Sequence, residues 1–247
     1  MLGDGKGMMI RPNSTDILGP KAKGRKSLAL QSKFGLRSGI VVVDVAHVPE
    51  PHCAMDGGLY LFDIPSKEKG PVRIIMSEVI GWDPSNMMSY ANGNIQGAPR
   101  IHKRPGKESF AVHANRNGGV VFVVKFNATD LQIFDLQGDE IAKLIPTRGK
   151  APDDIDVRKL PKDGWNKKDA NVSVALGAPM KLNFEIGFCE PNTMLAFDDP
   201  HPQDRSLIGF PNTCRSSGLT CQQMVTTRPQ EFKEVYWNLR SAWFYEG

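Results

Sequence analysis

The stretch from Leu36 to Trp82 constrains this chain most. It holds three apolar runs, Ile40–Val45, Leu59–Ile64 and Val72–Ile80, separated by Pro/Gly-rich breaks. Val, Ile, Tyr and Phe dominate those runs, and such side chains fit a pleated, half-buried surface better than a helix. Each run is also shorter than a typical helix. With 18 prolines and 24 glycines in 247 residues the chain has many turns, which suits short strands. The expectation is a mainly β protein with one sizeable core.

Further along, Val120–Phe126, Leu131–Leu136, Val172–Leu176 and Met180–Phe188 read as strands. The last alternates Leu182, Phe184 and Ile186 with Asn183, Glu185 and Gly187, the pattern of a sheet with one wet face. Phe110–His113 and Glu140–Ile145 read as strands too, each completing a hairpin. The C-terminal run differs. Phe232, Val235, Tyr236, Leu239 and Trp243 recur at helical spacing behind Thr227 and Pro229, predicting an amphipathic helix over about 229–245. Its apolar face is a docking or self-association surface, with a membrane as the third option. The expected organisation is a flexible basic arm (1–37), a jelly-roll-like or Greek-key β-sandwich of seven or eight strands (38–190), and an irregular tail ending in that helix (191–247).

Charge is uneven. Residues 1–38 hold eight Lys or Arg against two Asp, while the rest of the chain is slightly acidic. A Lys/Gly/Pro-rich leader without periodicity reads as disordered. Lys21, Lys23, Arg25 and Lys26 in it are candidate contacts to nucleic-acid phosphates, or a solubilising tail. A second cluster, Arg100, Lys103, Arg104 and Lys107, falls between Pro99 and Pro105-Gly106 and reads as an exposed loop with the same two options.

No apolar run approaches the ~20 residues that span a bilayer, and the first residues contain no apolar signal core. Four cysteines at 53, 189, 214 and 221 show no CxxC spacing. Together these point to a non-secreted protein with reduced thiols. His47, His52 and Cys53, with His113, lack the paired spacing of a zinc site, so no metal or cofactor is expected. Asp44, in Val41-Val42-Val43-Asp44, is similar to the first strand of ribonuclease-H-like nucleases, with Asp63, Asp130 and Asp135 as recruits. None of these has that family's flanking pattern, so a metal-dependent nuclease is the weaker option.

The order Ser38–Val45, Pro-bearing loop Val48–Cys53, strand Gly58–Ile64, polar gap Lys67–Pro71 and strand Val72–Trp82 resembles the core of the plant-virus 30K movement proteins, tombusvirus and umbravirus type. Gly58, Leu61 and Asp63 carry the resemblance. It implies a viral movement protein without catalysis, which binds single-stranded RNA and carries it through plasmodesmata with host endomembrane or plasmodesmal partners. It also implies a location at the host cell periphery and in the cytoplasm. Asp63 would be the signature residue; physically, a carboxylate there fixes the end of a strand. A jelly-roll coat or matrix protein is the alternative from another class.

Overall fold

The computed structural model describes residues 7–19, 22, 24–63, 72–80, 86–92, 95–96, 100–102, 109–127, 129–148, 150–153, 155–162, 164–167, 179–191, 193, 197 and 218–247. Among them β3 (Gly39–His47), β4 (Met55–Phe62) and β5 (Val72–Ile80) fall where the apolar runs predict strands. They do not form one meander. β3 lies in a six-stranded antiparallel sheet (sheet A), and β4 and β5 lie in a seven-stranded one (sheet B). In chain order, sheet A consists of β1 (Met8–Ile10), β3, β9 (Val120–Phe126), β10 (Leu131–Leu136), β11 (Trp165–Lys167) and β13 (Trp237–Glu246). Its spatial order is β1-β13-β3-β9-β10-β11. Sheet B runs β2 (Leu28–Leu36), β12 (Met180–Phe188), β4, β5, β6 (Asn86–Asn92), β7 (Ile95–Gln96), with β8 (Arg100–His102) also paired to β6.

The two sheets share one core. Val41, Val43, Val45 and Phe122 from sheet A meet Leu59, Leu61, Ile74 and Phe184 from sheet B. Trp237 is fully buried there; its ring meets Phe184 edge-on at 5.7 Å and its indole N–H donates to the Glu185 carbonyl at 3.1 Å. Sheet A is covered on its other face as well. Val42, Val121, Val123, Phe134 and Trp243 form a second cluster under α2 (Asp139–Leu144) and Ile155. That double cover explains why β3 and β9 are apolar at nearly every position instead of alternating.

Several sequence expectations are corrected. The C-terminal helix is instead strand β13, lodged between β1 and β3. Register shifts on either side of Leu239 let Trp237, Leu239 and Ala242 face the core while Trp243 faces the second cluster. A strand bulged in this way mimics a helical spacing. A real helix, α3 (Cys221–Thr227), comes earlier, with a Thr220/Gln223 capping box, and Pro229–Phe232 is a single 3-10 turn.

Phe110–His113 and Glu140–Ile145 are also helical. α1 (Phe110–Arg116) starts where the Ser109 hydroxyl accepts from Val112 N–H at 3.1 Å. It ends at Arg116, capped by Asn117, and the chain then turns into β9 through Gly119, whose φ of +95° and closeness to Val45 O leave no room for a Cβ. α2 buries Ile141 and Leu144. Val172–Leu176 lies outside the described residues.

The basic arm is not free either: β1 pairs with β13 and β2 pairs with β12. No helix of the described residues is long and apolar enough to cross a membrane. Nor are the thiols reduced. Cys189 and Cys221 form a disulfide joining the end of β12 to α3 across 32 residues, and Cys53 is disulfide-bonded too. Closing a loop of that length removes unfolded-chain entropy worth about 4 kcal/mol. Replacing Cys189 and Cys221 together with alanine should cost roughly 2–4 kcal/mol in denaturant unfolding. A loss below about 0.5 kcal/mol would show that the covalent link adds nothing to the packed fold.

Candidate active site

Sheet B carries its polar groups on the face turned away from the shared core. On β4, Leu59 and Leu61 point inward, which sends Asp56, Gly58 and Tyr60 outward. β12 pairs antiparallel with β4 so that Glu185 stands opposite Gly58. On the other side β5 places Glu78 opposite Gly58 and Arg73 opposite Phe62, with a register shift between Leu59 and Tyr60. Glu78 and Glu185 therefore flank Gly58 from the two neighbouring strands, and Asp56 lies diagonal to both. Diagonal neighbours are about 7–8 Å apart at the backbone, within reach of long side chains.

Gly58 gives the Tyr60 ring room to lean across the strand: a Cβ there would stand 3.1 Å from the ring, which would have to give by a few tenths of an ångström. The Tyr60 hydroxyl donates to Glu185 Oε2 at 2.5 Å, and the Arg73 guanidinium sits 4.4 Å from the ring centroid. Burial and the adjoining Glu185 raise the Tyr60 hydroxyl well above its ordinary value.

The carboxyls crowd one another. Burial, reinforced by Glu78, Glu185 and Glu190, pushes Asp56 up to about 7 against the opposing pull of Arg73. Burial also raises Glu78, with Glu185 adding to it and Arg73 opposing. Half-buried carboxyls that hold a proton near neutrality are what general acid catalysis needs. Such a group can protonate a leaving oxygen while a neighbouring carboxylate meets developing positive charge.

Asp56 also ties stability to pH. Its folded value lies above the unfolded value near 4, so the folded form holds an extra proton between about pH 4 and 7. The stabilisation from that proton is complete below pH 4 and is lost as pH rises through 7. Asp56→Asn should therefore gain on wild type by on the order of 2 kcal/mol between pH 4 and pH 8, after discounting for partial exposure. Parallel stability curves over that range would contradict the raised value.

The residues singled out from sequence lie elsewhere. Leu61 is core, and Asp63 is buried at the β4–β5 turn, where its N–H donates to Val72 O at 3.1 Å. Arg25 is buried, its guanidinium donating to the carbonyls of Val225 (2.9 Å), Asp16 (3.0 Å) and Asn13, so it is spent on the fold. Lys26 is exposed; Lys21, Lys23, Lys103, Arg104 and Lys107 lie outside the described residues, and Arg100 begins β8.

Phe232, Val235 and Leu239 belong to the shared core, Trp243 to the second cluster, and Tyr236 stacks on His47. Asp44 is fully buried and is gripped by two guanidiniums, Arg148 (Nε at 2.9 Å) and Arg240 (3.1 Å), an ion triad unlike a nuclease metal centre. Asp130 closes a tight turn with Asn127, and Asp135 pairs with Phe122 across β9 and β10. His52 is anchored to Glu231 at 3.2 Å, His113 is in α1, and Cys53 is oxidised, so that set is not a zinc site. Sequence reasoning marked Glu185 as solvent-facing but missed its role, and it missed Asp56 and Glu78. The alternation within β4 and β12 was the available signal; the pairing that gathers the three was not.

Comparisons with known proteins identify the family and the fold. A family model described as "XgeA-like, catalytic GH16 domain" matches residues 76–245. Among solved structures, the chain resembles an elongating GH family 16 β-1,3-glucosyltransferase (19% identity, TM-score 0.69). It also resembles the GH16 Laminarinase 16A from Phanerochaete chrysosporium with β-glucans in donor and acceptor sites (14%, 0.71). Each likeness covers 96% of this chain and 82% of the other. No curated protein sequence matches.

These findings overturn the movement-protein resemblance and with it the single-stranded RNA cargo, the viral coat and nuclease alternatives, and the expectation of no catalysis. The Leu61-Phe62-Asp63 pattern is the inward–outward end of β4 followed by a buried carboxylate, three residues that two unrelated sandwiches can share. The family match extends over well over half of the sequence, through Glu78, Glu185 and β13, and the chain belongs to the XgeA-like catalytic GH16 domains.

Proposed function

We propose that the chain cleaves or transfers β-linked glucosyl units, with a β-1,3-glucan as substrate, on the outer face of sheet B. The observation that carries this reading is the Asp56–Glu78–Glu185 grouping around Gly58, with Asp56 raised to about 7. Membership of a catalytic GH16 family and the β-glucan-active neighbours support the substrate class.

Burial raises both Asp56 and Glu78, and the Glu78 charge adds to the shift of Asp56. Near neutrality one of the two is protonated and gives its proton to the glycosidic oxygen as the C–O bond breaks, while the ionised one attacks the anomeric carbon; water or an acceptor sugar hydroxyl then displaces that carboxylate and returns its proton to the first group. Glu185 and Arg73 are positioning residues. Glu185 is fixed by the Tyr60 hydroxyl, and Arg73 keeps the negative charge of the group from accumulating.

The architecture we read as a jelly roll, because the first four strands of the chain alternate between the two sheets and so do the last two. An oxidising compartment is the proposed location, on the strength of the disulfides at Cys53, Cys189 and Cys221.

Incubation with a β-1,3-glucan and analysis of the sugars released tests the reading. Glu78→Gln should lower kcat by about 100-fold or more while calorimetric binding of an oligosaccharide stays within a few-fold. The activity of the wild type should fall off as pH rises past 7. Undiminished turnover in both Glu78→Gln and Asp56→Asn would remove the site from this face.

A further inference from the structure

A second cluster of ligating groups stands at the end of β3, built from residues that take no part in the carboxyl grouping above. The His47 ring stacks flat on Tyr236, with centroids 3.7 Å and planes 9° apart, and its Nδ1 lies 3.0 Å from the Tyr236 carbonyl. A carbonyl only accepts, so Nδ1 carries a proton, and in the neutral ring Nε2 is the nitrogen that offers a lone pair.

Glu234 Oε2 lies 3.4 Å from that Nε2. Glu50 is brought alongside by its backbone N–H, which donates to Glu234 O at 3.0 Å. One ligand atom from each of His47, Glu50 and Glu234 lies within 4.8 Å of the others.

The surroundings are rich in lone pairs. The Asn115 amide nitrogen faces His47 Nε2 (3.1 Å), Val48 O (3.0 Å) and Glu50 Oε1 (3.3 Å), three acceptors for two N–H bonds. Its orientation is fixed, because Asn115 Oδ1 accepts from Val48 N–H at 2.8 Å. The cation facing the cluster from the N-terminal segment is Arg11. It sits 5.3 Å from the Tyr236 ring centroid, and its NH2 donates to Lys233 O at 2.9 Å.

We propose that His47, Glu50 and Glu234 bind a divalent metal ion of the zinc class. An imidazole whose second nitrogen is pinned to a carbonyl is the usual outer support of a metal-bound histidine. One nitrogen and two carboxylates with an open fourth position suit zinc, whereas calcium takes six to eight oxygens. Tetrahedral coordination at about 2.0–2.1 Å separates ligand atoms by about 3.4 Å, a spacing that Nε2 and Glu234 Oε2 already have. Glu234, with 45% of its side chain exposed, closes on an ion at little cost and leaves a path for entry. The bound ion clasps three segments together: the end of β3, the connection to β4, and the lead into β13.

Untagged full-length protein, stripped with EDTA and dialysed against zinc chloride, should retain about one zinc per chain by elemental analysis. Its melting temperature should rise by about 5 °C at zinc well above the dissociation constant, and calcium or magnesium at the same concentration should leave it unchanged. His47→Ala should lose the ion but removes a buried ring. Glu234→Gln therefore carries the decision: a tenfold or greater loss of zinc affinity with an unchanged metal-free melting temperature. Absence of retained zinc, wild-type affinity in Glu234→Gln, or a response to calcium instead of zinc would each overturn the proposal and leave His47 and Glu234 as an ordinary ion pair.

Discussion

Unequal cover of the two sheets is the constraint on which the rest of the molecule depends. Sheet A is packed on both faces, so its central strands β3 and β9 are saturated with Val and Phe. Sheet B is packed against the core on one face, and the opposite face carries half-buried Asp56, Tyr60, Arg73, Glu78 and Glu185. A polar group survives on such a face because it keeps partners and some water, whereas the same group inside sheet A needs full compensation. Packing therefore leaves the half-buried carboxyl grouping to sheet B.

Asp44 shows what the alternative requires. It is the one carboxylate set within the β3 run, at 0% exposure, and two arginines from distant parts of the chain, Arg148 and Arg240, converge on it. Removing one arginine leaves the other guanidinium on Asp44; removing both would bury its charge without either guanidinium, a loss on the order of several kcal/mol. The triad ties the 145–150 segment to β13, and so holds in place the cover that makes the outer cluster of sheet A dry. Among the described residues of sheet B one guanidinium, Arg73, faces several carboxyls; burial and the neighbouring negative charge push Asp56 up to about 7, and burial with Glu185 raises Glu78.

Much of the fold was legible in the sequence where a run was long and either saturated or strictly alternating. β3, β5, β9, β10 and β12 are of this kind, and Met180–Phe188 even reveals its wet side. The short elements were not. α1 and α2 span seven and six residues, too few for a helical period to separate from a strand's, although Ser109 and the Gly118-Gly119 pair mark one of them. β13 was misread because bulges shift its alternation part-way. The carboxyl grouping was out of reach for a different reason. Asp56, Glu78 and Glu185 are distant in sequence and meet only through the pairing of β4 with β5 on one side and β12 on the other. The disulfide between Cys189 and Cys221 is hidden in the same way, since no local spacing announces it.

The leader has a consequence that its lysines disguise. β1 and β2 occupy the outermost positions on sheet A and sheet B, beside β13 and β12. Without them, two long strands would present rows of unpaired N–H and C=O groups, ready templates for stacking one molecule on the next. The three-residue β1 is a poor template in itself, whereas the nine-residue β2 exposes Leu30 and Phe34 and is interrupted only by Lys33 and Gly35. β1 and β2 thus act as bumpers: among the described residues they shield one edge of each sheet, β1 by its shortness and β2 by the Lys33 charge and Gly35 within it.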